Sequence, residues 1–402
     1  MSLDLTSAAY LKNPVPTFDK LRQRGAVVRI KLPLVGKVWL TTTHAATSAL
    51  LKDNQRFAMR KPGRGTAAGV QWWMPKSLKI LANNMLTSDN PDHQRLRGLV
   101  DQAFQRRPIR DLENGVRETA RALLRDCDKT GGFNLVTDYA RKLPIAVISQ
   151  LLGLEGDAQA KFFKHASSMT GVSGMMGFLR LLPSIGAMSK EMRRELKREA
   201  EAQKSGNPGK GLISELVRVE NGGDRLSEDE LLAMVFLLLM AGSETTTHMV
   251  SLAVHTLEEK PERKAAFLAA QDNPLAIEEL LRFCAPVQFS KPRYVLRSGE
   301  FHGSTLQEGD LMMAGLAIAN RDPAVFDQPD RLNLNRKPNP HLEFGTGIHF
   351  CLGFQLARLE IQCGLQELYH SMPDLEIAEP PKWRKGVGIR GPSELIVRRH
   401  RS

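Results

Sequence analysis

The segment from Leu231 to Thr247 constrains the fold more than any other part of the chain. It reads LLAMVFLLLMAGSETTT, and its first half is apolar on every side of a helix. A helix that is hydrophobic all round must be enclosed by other elements, so the segment predicts the buried centre of a large helical protein. The apolar run from Leu231 to Gly242 is too short to span a bilayer, which needs about 18 to 20 apolar residues.

Polar residues interrupt this helix in its middle. A helical threonine bonds back to the carbonyl four residues earlier and bends the helix, and a nearby glycine assists the bend. We therefore expect Thr245 to bond to Ala241 and to open a groove beside Gly242. A carboxylate and a hydroxyl in such a groove, Glu244 and Thr245, can relay protons. The alternative is a buried polar patch whose hydrogen bonds are all satisfied.

A second feature is the glycine-rich loop from Phe344 to Gly353, which presents Cys351 just before a predicted helix. The free N–H groups and the dipole of a helix N-terminus favour an anion. This position therefore favours the thiolate, which is the form of cysteine that binds metal. Glycines 345, 347 and 353 allow a tight turn and a close approach to a bulky group. By itself, a lone cysteine is more often a small buried apolar residue.

The pattern from Phe344 to Glu360, Phe-Gly-x-Gly-x-His-x-Cys-x-Gly-x-x-x-Ala-x-x-Glu, resembles the haem-binding signature of the cytochrome P450 family. The resemblance implies a mainly α fold with a smaller β-rich portion, shaped as a trigonal prism around a buried haem b. It implies one domain over residues 1–402, with strands mostly within 25–60, 287–335 and 385–398. Cys351 would be the axial iron ligand, and Phe344, Gly345, His349 and Gly353 would contact the haem.

Other motifs match the same family. His93 and Arg97 lie four residues apart, on one face of a helix that starts near Pro91. Arginine binds carboxylates in a fixed fork, so with Arg293 they are expected to hold the haem propionates. Without the resemblance, a surface His/Arg pair would be the ordinary interpretation.

Two further motifs lie on helices. The run Ala241-Gly242-x-Glu244-Thr245-Thr246 resembles the oxygen-activation motif, so the resemblance makes Glu244 the acid, Thr245 the hydroxyl that guides proton delivery, and Ala241 a haem contact. Glu279 and Arg282 match the structural Glu-x-x-Arg pair, although an i,i+3 pair of this kind is ordinarily a surface ion pair of little value.

The substrate would be an apolar or aromatic small molecule, since tryptophan, methionine and phenylalanine recur among the predicted pocket residues. The loop around Trp72-Trp73 would lie over it, although adjacent tryptophans are equally compatible with a core. Arg60, Lys61 and Arg64 beside that loop are compatible with an anionic substrate. The Met-rich segment Met169 to Met188 would form a mobile lid, or else a loosely packed helix pair. The predicted substrate contacts are Trp72, Trp73, Met85, Leu86, Leu237, Ala241, Val287, Phe289 and Ile389.

The net charge of +12 does not by itself indicate nucleic acid, because no nucleic-acid motif accompanies it. The four cysteines have no disulfide or zinc-finger spacing, and the N-terminus does not read as a signal peptide, so a cytoplasmic monomer without a membrane anchor is expected. Arg95, Arg97, Arg106, Arg107 and Arg110 have only Asp101 among them. They therefore predict a docking patch for an acidic ferredoxin.

The predicted function is that of a haem-thiolate monooxygenase that inserts one oxygen atom from O2 by hydroxylation, epoxidation or oxidative dealkylation. The resemblance covers nearly the whole chain, so electrons from NAD(P)H are expected through separate proteins, a ferredoxin or flavodoxin with its reductase. The alternatives are a peroxide-driven haem enzyme and a haem-based gas sensor or electron carrier. The Glu244–Thr245 pair argues against the first alternative, because peroxide use needs no proton relay.

Overall fold

The computed structural model describes residues 4–32, 35–61, 84–106, 109–128, 131–169, 174–219, 224–270 and 272–400. The fold is mainly helical with a smaller β portion, as the sequence predicts. The helices are α1 (Ala8–Lys12), α2 (Val15–Gln23), α3 (His44–Lys52), α4 (Asp92–Gln105), α5 (Glu113–Asp128), α6 (Lys142–Leu152), α7 (Gly156–Met169), α8 (Gly174–Lys204), α9 (Leu212–Arg218), α10 (Glu228–Glu258), α11 (Pro261–Ala270), α12 (Pro274–Cys284), α13 (Leu316–Ala319) and α14 (Phe354–Ser371).

Short helical turns join some of these elements. Met85–Thr87 and Ile109–Leu112 are 3-10 turns, and Leu135–Ala140 is a π-helical turn. The strands are β1 (Val27–Leu32), β2 (Gly36–Thr41), β3 (Phe57–Ala58), β4 (Phe133–Asn134), β5 (Arg293–Val295), β6 (Gly299–Phe301), β7 (Ser304–Leu306), β8 (Leu311–Met313), β9 (Leu375–Ile377), β10 (Lys382–Trp383), β11 (Pro392–Glu394) and β12 (Ile396–Arg399).

Helix α10 is the centre of the fold. Ser227 and Glu230 form a capping box at its start, which satisfies two of the free N–H groups there. The helix packs against α6, α12, α14 and the π-helical turn. By length and composition it is apolar enough to cross a membrane, but 61% of its most apolar stretch is buried inside the protein. It is a core helix, as its all-round hydrophobicity predicts.

The largest sheet has five strands in the order β1-β2-β8-β5-β3. Strand β5 lies between β8 and β3 and carries Arg293 at its first position. A three-stranded sheet has the order β4-β12-β9, and β10 pairs with β11 in a C-terminal hairpin. Strand β8 ends at Met313, and Leu316 begins α13.

Candidate active site

The cysteine loop is held by backbone contacts. The N–H of Cys351 donates to the carbonyl of Phe344 at 3.0 Å. Gly347 has a φ of +75°, and a Cβ there would lie 2.3 Å from the carbonyl oxygen of Leu51. Only glycine therefore lets the loop rest on the end of α3. Helix α14 follows directly, with Gly353 as its N-cap. Of the four free cysteines, Cys127, Cys284 and Cys363 are buried while Cys351 is partly accessible.

The loop does not by itself make Cys351 a thiolate. Burial is the largest influence and raises the pKa of the Cys351 thiol, while the N–H of Gly353 and the nearby Arg97 and Arg358 lower it. This corrects the expectation from the helix N-terminus, because desolvation of the thiol outweighs the favourable contacts with Gly353, Arg97 and Arg358. A bound metal ion would offset this effect of burial, because a thiol that coordinates a metal is deprotonated.

Basic side chains from three segments meet beside this loop. The rings of His93 and His349 lie 4.4 Å apart between centroids, and His93 is 3% exposed. Burial, followed by Arg293, His93 and Arg97, lowers the pKa of His349 to about 3. Burial likewise lowers the pKa of Arg293 to about 10. The structure therefore brings together the residues predicted to hold the propionates, although they come from α4, β5 and the cysteine loop.

These residues fit a haem. Nδ1 of His349 is buried and has no hydrogen-bond partner among the described residues, so a donor or acceptor from outside the chain suits it. A Cβ at Gly345 or Gly353 would meet no atom within 4 Å, so the loop leaves room for a bulky group. The accessible thiol matches the iron ion of a haem, and the basic side chains nearby match its two carboxylates. No group of three or more His, Cys, Asp or Glu among the described residues forms a separate metal site.

The middle of α10 is open on one side. Ala241 is exposed, although the helix is buried toward both of its ends. Leu237, Ala241 and Thr245 follow at intervals of four residues and so share one helix face. The predicted back-bond is present: Oγ1 of Thr245 donates to the carbonyl of Ala241 at 2.7 Å. The predicted catalytic hydroxyl and two predicted substrate contacts therefore lie on the same open face.

Glu244 has a partner that local sequence reasoning did not find. Nη2 of Arg384, next to β10 in the C-terminal hairpin, lies 3.0 Å from its Oε1, and both side chains are about one-fifth exposed (18% and 20%). Arg141 also interacts electrostatically with Glu244. The buried His248 lies one turn further along α10, and its pKa is lowered to about 3 by burial and then by these two arginines. The sequence gives no signal that Arg384 pairs with Glu244, because the two residues are far apart in the chain and meet only through the tertiary fold.

Glu360, the last residue of the signature, is 2% exposed on α14. Its carboxyl interacts with the side chain of Thr246 on α10, and its Oε1 has no partner among the described residues. Burial raises the pKa of this carboxyl to about 8, so it is mostly protonated at neutral pH.

The Glu279–Arg282 pair lies at 0% exposure. Arg282 donates to both carboxylate oxygens of Glu279 at 2.7 and 2.8 Å, and it also bonds to the carbonyls of Asn320 and Pro329. Nε of Arg336 lies 3.0 Å from the same carboxylate. This network joins α12 to residues 320–339, the segment that leads into the cysteine loop.

The predicted substrate contacts outside α10 fall into four groups. Val287 and Ile389 form an isolated β-bridge, so the C-terminal hairpin does meet the stretch that follows α12. Met85 and Phe289 are buried instead: Met85 packs with the helical core and Phe289 with the core around α1, α2 and β1. The assignment of Phe289 to the pocket is therefore corrected to core packing. Leu86 is partly exposed. Trp72 and Trp73 lie outside the described residues.

The predicted ferredoxin patch contains more carboxylates than Asp101, the one that the sequence indicated. Arg95 pairs with Asp224 and Glu230 at the start of α10, and Arg106 lies 3.6 Å from Glu215. Arg110 pairs with its neighbour Asp111, and Arg107 lies outside the described residues. The acids that pair with Arg95 and Arg106 come from distant segments, which local charge counting does not include.

Two surface clefts of about 230 and 590 Å³ lie elsewhere, lined by residues of 260–270 and 327–336, and none of the predicted site residues lines either one.

Comparison with known proteins agrees with this geometry. The family profile described as Cytochrome P450 matches residues 5–272 and 274–370. The polyketide biosynthesis cytochrome P450 PksS of Bacillus subtilis is 34% identical over 96% of this chain and 95% of its own length. The vitamin D(3) 25-hydroxylase of Pseudonocardia autotrophica is also 34% identical, over 98% of this chain and 96% of its own length.

Solved structures give the same result. The structure of PksS superposes with a TM-score of 0.84 at 32% identity, covering 99% of this chain and 100% of that one. P450BioI, solved in complex with an acyl carrier protein ligated to hexadec-9Z-enoic acid, gives 0.82 at 30% identity, covering 98% of this chain and 100% of that one. The chain belongs to the cytochrome P450 family and is a monooxygenase of that family.

Proposed function

We propose that this monooxygenase inserts one oxygen atom from O2 into an apolar or aromatic small molecule, by hydroxylation, epoxidation or oxidative dealkylation. The observation that carries the proposal is the open face in the middle of α10, where Thr245 lies beside Glu244 in a helix that is buried toward both ends. When bound, a haem with a thiolate ligand supplies the oxidising power for such an insertion.

The chain's own residues would do the rest. Cys351 would ligate the iron, and His93, Arg97, Arg293 and His349 would hold the propionates. The Thr245 hydroxyl would accept and pass on a proton at its Oγ1, and Glu244 would deliver that proton as a carboxylic acid after taking it up as a carboxylate. The buried apolar residues of α10 on either side of this polar face would keep water away from the rest of the site, and the exclusion of water limits side reactions.

Electrons are proposed to come from NAD(P)H through a ferredoxin or flavodoxin and its reductase. The net charge of +12 favours an acidic partner. Arg95 and Arg97 of α4 already pair with carboxylates of this chain, so we do not propose α4 as the docking surface. We also propose that the protein is a monomer and that it is located in the cytoplasm.

The carbon monoxide difference spectrum of the reduced protein tests the ligand. We expect the thiolate signature in the wild type and its loss in Cys351→Ser. Product formation with ferredoxin, reductase and NAD(P)H should exceed that with peroxide alone. The reverse order would favour the peroxide-driven enzyme, and a wild type without the thiolate signature would refute the haem-thiolate assignment.

A further inference from the structure

Arg358 of α14 contacts residues at both ends of the cysteine loop. Its guanidinium carbon lies 4.7 Å from the centre of the Phe344 ring and 5.2 Å from the centre of the Phe354 ring. Phe344 begins the loop, and its carbonyl accepts the N–H of Cys351 at 3.0 Å. Phe354 is the first residue of α14. The cation therefore rests on two aromatic rings that flank Cys351 in the chain, and contacts of this kind are attractive.

A carboxylate from α12 fixes the position of this cation. Glu278 accepts from Nε and Nη2 of Arg358 at 2.5 and 2.7 Å, and two parallel hydrogen bonds of this kind set the plane of a guanidinium. Nε2 of His341 lies 3.0 Å from the same carboxylate, and the His341 ring lies 5.9 Å from the Phe344 ring between centroids. The side chain of Arg358 is 33% exposed, so it is held in one orientation although water reaches it.

A charge held beside the loop affects how easily an iron ion bound there is reduced. Reduction adds a negative charge to the iron and its thiolate, so a nearby cation favours the reduced form and a nearby carboxylate opposes it. Arg358 contacts the two rings directly and acts electrostatically on Cys351, whereas Glu278 binds Arg358 and His341. The cation should therefore have the larger effect, and the carboxylate should weaken it.

We propose that Arg358 is a positioning residue that holds the cysteine loop and raises the reduction potential of the iron bound to Cys351, and that Glu278 limits this increase. The inference rests on the proposed function and adds to it a control of electron transfer. The balance between the two charges would set how strong an electron donor the enzyme needs.

The midpoint potential of the holoprotein, measured by spectroelectrochemical titration, tests the proposal. The variants are Arg358→Met, Arg358→Lys, Glu278→Gln and the double variant Arg358→Met/Glu278→Gln. Partly exposed ion pairs contribute little to stability, so these variants should fold. Arg193→Met is the matched control, because Arg193 of α8 is also 33% exposed and also pairs with carboxylates, those of Glu228 and Asp229 at 2.6 Å each.

The two single charge removals should shift the potential in opposite directions. Arg358→Met should lower the equilibrium constant for reduction and Glu278→Gln should raise it, each about threefold, which is about 28 mV because a tenfold change is 59 mV for one electron. The double variant should lie between them, and Arg358→Lys should stay closer to the wild type than Arg358→Met. Arg193→Met should leave the potential unchanged.

The infrared spectrum of the reduced carbon monoxide complex gives a second measure. A thiolate without its nearby cation donates more strongly, so the C–O stretching frequency should fall in Arg358→Met and rise in Glu278→Gln. If Arg358→Met lost its haem, Arg358→Lys and Glu278→Gln would still carry the test.

Two results would overturn the proposal. Potentials shifted in the same direction by Arg358→Met and Glu278→Gln would show a loosened loop and no effect of charge. Unchanged potentials with slower reduction by ferredoxin would make Arg358 a docking cation only. Failure of the proposed function is separate, because it would appear first as a wild type that lacks the thiolate signature with carbon monoxide.

Discussion

The buried Glu279–Arg282 network offers a stability prediction whose size follows from the structure. Glu279→Ala removes the acceptor for Arg282, for Nε of Arg336, and for the backbone N–H of Asn333, which lies 2.8 Å from the carboxylate. Arg282 is 0% exposed, so its charge would remain buried without its carboxylate. Removing one partner of a buried ion pair costs roughly 3 to 5 kcal/mol. The carbonyls that still accept from Arg282 favour the lower half of that range.

The chain provides a control with the same motif. Glu195 and Arg198 form another Glu-x-x-Arg pair, on α8, but Arg198 is 78% exposed and the two groups lie 3.4 Å apart. Glu195→Ala should cost at most about 1 kcal/mol, as surface pairs do.

Urea unfolding of the holoprotein, followed by far-UV circular dichroism, gives the two midpoints under one set of conditions. Glu279→Ala should unfold at a clearly lower urea concentration than Glu195→Ala. If the two variants lost the same stability, burial would not be what distinguishes these pairs, and the reasoning would be wrong.

Three further predictions concern the site. The pKa of Glu360 is about 8 in the folded protein and about 4.3 in the unfolded chain, so the free energy of unfolding should fall as pH rises between these values. In urea unfolding, Glu360→Gln should remove this decline of the midpoint with pH. A wild type that is equally stable at both ends of the range would contradict the prediction. Arg384→Met should lower the free energy of unfolding by about 1 kcal/mol in the wild type and by less in a Glu244→Gln background, because the two side chains form one ion pair. Equal losses of stability in both backgrounds would exclude this coupling. Gly347→Ala should lower the haem content of the purified protein more than Gly345→Ala does. Both glycines have positive φ, +75° and +68°, but only at Gly347 would the added Cβ meet backbone, at 2.3 Å. Equal haem contents would show that strain at positive φ, and not the close approach to α3, limits the loop.

The features that could be predicted from the sequence are those set by covalent spacing. The all-round apolarity of Leu231 to Met240 required enclosure, and α10 is indeed the core helix. Thr245 and Ala241 are four residues apart in one helix, so their hydrogen bond depends on helix geometry alone. The cysteine loop and the helix after it are likewise adjacent in sequence.

The tertiary structure decides which of several identical sequence patterns is buried and which charged side chains form ion pairs. Glu195–Arg198, Glu215–Arg218 and Glu279–Arg282 have identical spacing, yet only the last is fully enclosed. The acids that pair with Arg95 come from the start of α10 and from Asp224 just before it, and the arginine that pairs with Glu244 comes from the C-terminal hairpin. Local spacing fixes contacts within one element, because bond geometry leaves few alternatives. Contacts between distant elements depend on how the whole chain packs, and that is why the partners of Glu244 became visible only in the folded protein.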